Sequence, residues 1–345
     1  MDEWSLFRNH LQRIAAILAF LTNSIFLLLI IHRSPKSLGD YRYLMIFMAI
    51  FELGYALIDF CVRTDVITSR TFVLAAVDSN STFIPFPAIY ICLLIWHASF
   101  GISLANFGVH FIYRYLVVIG ETKWTSSGGF RILTWMSVSL IYGFIWALIL
   151  HTFAPKSDIL DRFLTTEVES LRGVPIEEIV YVGYSFYEKT SDSEVINQET
   201  IIGLSLLILL CTFSSVTMFY FATKCYLAIG RLSQGTRKSL KAKSLQSQLF
   251  FALLFQTAIP ITLMHIPCIL AFLTALLGKA EQFPGKLLTA TIAVFPSIDP
   301  IPSVLIISPY RTALTGMVTV PKKLSTKNIL FQKQFVFSAD VEGNR

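Results

Sequence analysis

The sequence predicts an all-α membrane protein: a seven-transmembrane helix bundle with its N-terminus outside and its C-terminus cytoplasmic. Three observations predict it. Of 345 residues, 54% are hydrophobic and 14% charged, where a soluble domain has about a quarter of its residues charged. Seven apolar runs are long enough to cross a bilayer core as helices, and none has the short alternating pattern of a barrel strand. Lys and Arg near the ends of those runs divide sixteen to ten between the two sides, and sixteen to six once the long loop 154–200 is set aside. Short basic loops stay in the cytoplasm, so this asymmetry orients the chain.

The first run, 14–31, carries no charge. It is too long for a signal-peptide core and no small-residue cleavage site follows it, so it is expected to remain in the membrane. The second, 43–62, holds Glu52 and Asp59. Glu52 falls near mid-depth, where an acid is costly and needs a polar helix face, a ligand or an ion to bond. Asp59 falls near the outer end with Arg63 four residues on, the spacing of a helix salt bridge.

The third run, 89–119, is the strut of the bundle. Helical spacing gives it a polar stripe (Cys92, Trp96, Ser99, Ser103, Asn106, His110), a small one (Ala98, Gly101, Ala105, Gly108) and a bulky one (Phe100, Leu104, Phe107, Phe111). Only a helix surrounded by other helices has use for all three. The fourth run is 132–153 and the fifth 201–223. The sixth, 249–277, contains Pro260 and Pro267; the seventh, 287–308, has Asp299 as its only charge, followed by Pro300 in a proline-rich stretch. Prolines remove backbone donors and bend helices. Glu52, Pro260, Pro267, Asp299 and Pro300 are therefore the expected switch elements. Together the runs make one domain, 1–318, followed by a cytoplasmic tail, 319–345.

Between the fourth and fifth runs, loop 154–200 reads as a folded lid. Ser157 caps a short amphipathic helix that stops at Gly173 and Pro175, and residues 180–187 form an aromatic strand. The loop has no cysteine, so no disulfide ties it to the third helix. The five cysteines show no metal-like spacing and are expected to pack. Asn80-Ser81-Thr82 is a glycosylation sequon on the side assigned outside. On the other side, residues 230–248 are basic without a single acid. Lys238 and Lys241 there suit anionic lipid, an intracellular partner, or both.

No enzyme motif is present, no cofactor is implied, and the basic residues lie in loops and not on a nucleic-acid face. A cavity in the outer half of the bundle would be lined by Trp96, His97, Ser99, Ser103, Tyr142, Trp146 and His265. Such a lining, apolar with few polar groups, suits a small lipophilic organic molecule; packing is the competing role for each residue.

Several stretches, in order along nearly the whole chain, resemble the Str-type serpentine chemoreceptors of nematodes, a branch of seven-helix odorant receptors. They are Tyr41-Arg42-Tyr43-Leu44-Met45, Gly108 through Tyr115, Leu245-Gln246-Ser247-Gln248, Gln256 through Pro260, Met264-His265-Ile266-Pro267, Pro296 through Pro300 and Pro309-Tyr310-Arg311. The resemblance implies an odorant receptor in the plasma membrane, in the cilia of sensory neurons, that signals through a heterotrimeric G protein. It also implies that Tyr113, Arg114 and Tyr115, with Lys238 and Lys241, contact that G protein. Tyr113 stands where many seven-helix receptors have an acid, so Arg114 lacks the usual acidic neighbour. An odorant-gated channel, with inverted topology, and a transporter are the alternatives; the charge asymmetry opposes the first and the lack of internal repeats the second.

Overall fold

The computed structural model describes residues 3–125, 129–165, 174–189, 194–232 and 237–318. The expected tail from residue 319 lies outside them, as does the expected stop of the lid helix at Gly173. Among the described residues, seven helices are long and apolar enough to cross a membrane, and this is a multi-pass membrane protein. The first five spans are Glu3–Arg33, Tyr41–Val62, Phe86–Ile119, Gly129–Phe153 and Gln198–Arg231. The sixth runs Arg237–Pro260, passes through a π turn at Ile261–His265 and resumes as Ile266–Leu276. The seventh is Gln282–Ile298, broken before Ile301–Ile306, and a further helix Ser308–Val318 follows. Most spans outrun their apolar cores, because flanking polar residues are good helix formers that hydropathy does not count.

At 34 residues the third span is about 50 Å long, and from Ala98 to Arg114 every residue except Ile102 and Ile112 is buried. Its small stripe divides between two neighbours. A Cβ on Gly101 would meet the Trp146 ring of the fourth span, and Gly143 of that span seats against Ile102 and the Ala98 carbonyl. Further along, the Ser214 hydroxyl of the fifth span donates to the Leu104 carbonyl at 2.9 Å. Gly120, with φ +78°, takes the left-handed conformation that ends the helix.

One end of the bundle is covered by a β-sheet, the main departure from a purely helical chain. Strands β1 (Asp65–Ser69) and β2 (Phe72–Asp78) form a tight hairpin between the second and third spans. Strand β3 (Ile179–Ser185), from the long loop, pairs antiparallel with β2. Alternation gives the sheet two apolar faces. Val73, Ala75, Val77, Val182 and Tyr184 face the bundle, while Leu74, Ala76, Ile179 and Tyr181 face the lid helix Asp158–Leu164 through Leu160 and Leu164. Ser157 caps that helix, accepting from the Leu160 amide. The Tyr181 hydroxyl donates to Asp161 at 2.8 Å, and burial pushes its phenol pKa above the ordinary value. Gly183 lies against Leu74, where a Cβ has no room. A second hairpin joins β4 (Tyr187–Lys189) to β5 (Glu194–Ile196).

Polar groups pin the sheet to the spans. Arg8 of the first span forms a buried ion pair with Asp65 at 2.7 Å, and Trp4 Nε1 donates to the same carboxylate at 3.2 Å. Gln12 donates to the Thr64 carbonyl at 3.1 Å. From the seventh span, the Gly285 amide donates to Thr68 Oγ1 at 3.0 Å, while Thr289 Oγ1 accepts from the Val66 amide at 2.8 Å. The expected Asp59–Arg63 bridge is corrected here. Arg63 takes a left-handed φ of 58° at the end of the second span, donates to the Ser81 carbonyl and lies over the Phe83 ring, while Asp59 bonds elsewhere. Helix spacing permitted the pair, but the turn into β1 carries Arg63 away from it.

Breaking a buried ion pair strands its partner, at a cost of about 3–5 kcal/mol. Arg8→Met is therefore expected to lower the melting temperature of the detergent-solubilised protein sharply. The double variant Arg8→Met/Asp65→Leu should recover most of the loss; equal losses in both would remove the ion pair from its role as anchor.

Candidate functional site

The residues that sequence reasoning placed in a cavity run from the lid side to the middle of their spans, and the structure brings only some of them together. Phe100 joins two of them: its ring centroid is 5.2 Å from Trp146 and 5.1 Å from His265. This stack spans the fourth, third and sixth helices directly below the sheet. The His265 ring sits at the end of the π turn, with Nδ1 2.9 Å from the Pro260 carbonyl. A carbonyl only accepts, so Nδ1 carries the proton and Nε2 offers a lone pair; Nε2 is buried without a partner. The Tyr184 hydroxyl, reaching down from β3, is likewise buried and unpartnered, and its ring meets Phe272 at 6.0 Å.

The remaining expected lining residues are engaged in packing or bonding. Trp96 turns to the second span and donates to Asp59 at 2.8 Å, with the His97 ring beside it at 5.0 Å. His97 Nε2 and the Ser103 hydroxyl have no partner. Ser99 bonds the Ile95 carbonyl of its own helix at 2.9 Å, and the Tyr142 hydroxyl donates to the Leu210 carbonyl of the fifth span.

Mid-bundle, two of the expected switch residues, Asp299 and Pro300, sit at the break in the seventh span. Pro300 has no amide hydrogen, so the Pro296 carbonyl four residues back loses its helical donor. Asn23 of the first span donates to that carbonyl at 2.8 Å, and Thr22 to the neighbouring Ser297 carbonyl at 3.0 Å. Asp299 accepts from Gln256 of the sixth span at 3.1 Å, and Gln256 in turn accepts from Ser303 at 2.8 Å. On the second span, both carboxylate oxygens of Glu52 are buried without hydrogen-bond partners. Gln256 and Ser303 also line a cavity of about 10 Å³ shared with Tyr41 and His110.

At the end opposite the lid, Arg114 is 1% exposed. It donates to the Gln246 side chain of the sixth span, and its guanidinium lies over the Tyr41 ring at 4.9 Å. Tyr41 stacks on Tyr113 with centroids 5.8 Å apart, and its hydroxyl bonds His110 Nδ1 at 3.0 Å. Tyr113 donates to the Thr125 carbonyl at 3.2 Å, and Tyr115 points to Phe221 of the fifth span. The side chains of Lys238 and Lys241 lie outside the described residues. Asn80 is exposed at the lid end, in the turn after β2, and bonds Glu178.

Sequence reasoning missed the roles of Tyr41, Gln246, Gln256 and Asn23. All four partner residues far along the chain, and only the proline-freed carbonyl carried a signal that a donor was needed somewhere.

The comparisons fit this geometry. The model of the serpentine type 7TM GPCR chemoreceptor Str family matches residues 8–315. The G-protein coupled receptor str-217 of Caenorhabditis elegans is 34% identical over 320 residues, covering 91% of this chain and 90% of that one. Serpentine receptor class r-10 of the same organism is 24% identical, over 87% of this chain and 88% of its own length. Among solved structures, squid rhodopsin shares the fold with a TM-score of 0.64, 12% identity and coverage of 92% of this chain and 85% of that one.

Removing one partner of a buried hydrogen bond to a carboxyl costs about 1–3 kcal/mol. Trp96→Phe is expected to lower thermal stability by that amount, and Asp59→Leu by a similar amount. The two losses should not add in the double variant; full additivity would mean that the bond contributes nothing.

Proposed function

The chain belongs to the Str family of serpentine seven-helix chemoreceptors, and on that premise we propose a non-enzymatic switch worked by a small organic odorant and read by a heterotrimeric G protein. The odorant binds at the lid end, which faces outside, among Trp146, Phe100, His265 and the Tyr184 hydroxyl. Trp96, His97, Ser99, Ser103 and Tyr142 shape the walls. The G protein docks at the opposite, cytoplasmic end on Tyr113, Arg114 and Tyr115, with Lys238 and Lys241 supplying positive charge. The receptor sits in the plasma membrane of sensory neurons, in their cilia, and Asn80 is glycosylated.

The observation that carries this reading is the tie between Arg114 and Gln246. It fastens the end of the third span to the sixth span, the span that is interrupted at mid-depth by Pro260 and a π turn. A π turn holds its helix less regularly than the α segments around it and is a natural pivot. A ligand wedged against His265, at the end of that turn, pushes on the lever whose other end holds Arg114. Glu52, Asp299, Pro300 and Pro267 set the resting shape around the pivot. The absent acid beside Arg114 is replaced by two neutral restraints, the Tyr41 ring and the Gln246 side chain.

A hydrogen bond to a charged group is worth about 1.5–3 kcal/mol, and about 1.4 kcal/mol is a tenfold change in an equilibrium. Gln246→Leu should raise ligand-free guanine-nucleotide exchange in reconstituted membranes on the order of tenfold. Arg114→Ala should abolish exchange at equal expression. Unchanged basal exchange in Gln246→Leu would overturn the tie as the resting restraint.

A further inference from the structure

We infer that the ligand reaches its site sideways from the bilayer, between the lid-end halves of the fifth and sixth spans, and is a neutral, membrane-partitioning molecule. This rests on the site proposed above. The direct route from outside is closed in two layers. Residues Val73 to Val77 and Tyr181 to Phe186 are buried, and Leu74, Ala76 and Tyr181 among them pack under the lid helix. The sheet is also tied around most of its circumference. Arg8 and Gln12 hold it to the first span, and Thr68 and Thr289 to the seventh. Arg70 pairs with Ala280 through two backbone bonds of 2.6 and 3.1 Å. The Tyr187 hydroxyl donates to the Leu276 carbonyl at the end of the sixth span, 3.0 Å away. Opening the lid breaks all of these together.

The membrane side offers less resistance. Beyond its π turn the sixth span packs on the seventh and on β1 and β2, while the fifth packs on the third and fourth. On this side Leu204 and Cys211 of the fifth span and Cys268 and Phe272 of the sixth are half-buried and pack on the same core cluster. Small thiols and mobile apolar chains part without breaking a backbone bond. The Tyr184 ring packs on Phe272, and both Tyr184 Oη and His265 Nε2 are buried without a partner. A molecule taking this path crosses hydrocarbon first, which excludes fixed charge. Its hydrogen-bonding group is then met by a hydroxyl and an imidazole lone pair.

The test locks the lid. Arg70→Cys/Ala280→Cys joins the hairpin tip to the turn between the sixth and seventh spans by a reducible disulfide. The protein, in lipid nanodiscs, is photolabelled with an octanol diazirine or with a trimethylammonium diazirine confined to water, and adducts are mapped by mass spectrometry. The octanol probe is expected to label Trp146, Tyr184 or His265 equally in the oxidised and reduced states, and the cationic probe to label none of them. Loss of octanol labelling on oxidation, restored by reductant, would overturn sideways access and leave the site standing. So would labelling of those residues by the cationic probe in the wild-type protein, which needs no variant. Octanol adducts on none of the three in any state would remove the site itself, and this inference with it.

Discussion

A backbone carbonyl in the middle of a bilayer has no water to bond, and that requirement organises the core of this protein. The seventh span carries prolines at 296, 300 and 302, and each removes a donor from the ladder. The break at Asp299 is tolerated because the first span supplies Asn23 and Thr22 as replacement donors. The sixth span supplies Gln256 to the acid itself. A kink that would be costly alone thus becomes the place where three spans are held to one another. Of these residues Gln256, with its partner Ser303, borders the small cavity that reaches His110 and Tyr41, so the polar middle and the Arg114 end belong to one continuous set of contacts.

The lid follows the opposite logic. Its core is apolar on both faces, and its polar contacts are at the rim, where Asp65 receives Arg8 and Trp4. A buried ion pair is seldom the cheapest way to stabilise a contact, because desolvation offsets much of the attraction. What it supplies is registration: it sets where the hairpin sits on the first span. The alternation of Val73, Ala75 and Val77 with Leu74 and Ala76 then decides which face meets the bundle.

The seven spans and the aromatic strand were legible because long apolar runs and alternating residues are local signals. The hairpin of β1 and β2 was not read. Its residues, Asp65 to Asp78, form a short apolar stretch with a two-residue turn at Arg70-Thr71 that carries neither glycine nor asparagine, so no turn chemistry announces it. Asp59 was misassigned for a related reason: the i+4 rule sees Arg63 but not Trp96, which is 37 residues away. At the candidate sites, chemistry-bearing residues such as His265 and Arg114 could be picked out by type. Their partners Phe100, Gln246 and Tyr41 were ordinary residues made important by folding. Ser99 and Tyr142, chosen by the same reasoning, spend their hydroxyls on backbone carbonyls.

The register of the sheet also bears on how the chain is made. Strand β2 lies between β1 and β3, and its pairing of Phe72 with Ser185 joins segments more than a hundred residues apart. Synthesis proceeds at about 5–20 residues per second, so on the order of 5–20 seconds pass between the emergence of β2 and that of β3. Throughout that interval the hairpin presents an apolar strand with an open hydrogen-bonding edge, the kind of edge that invites pairing with another chain. The third and fourth spans must be inserted before the edge is covered. Biogenesis of this fold therefore contains an obligatory unprotected stage, and a delay in membrane insertion would act on the nascent chain there.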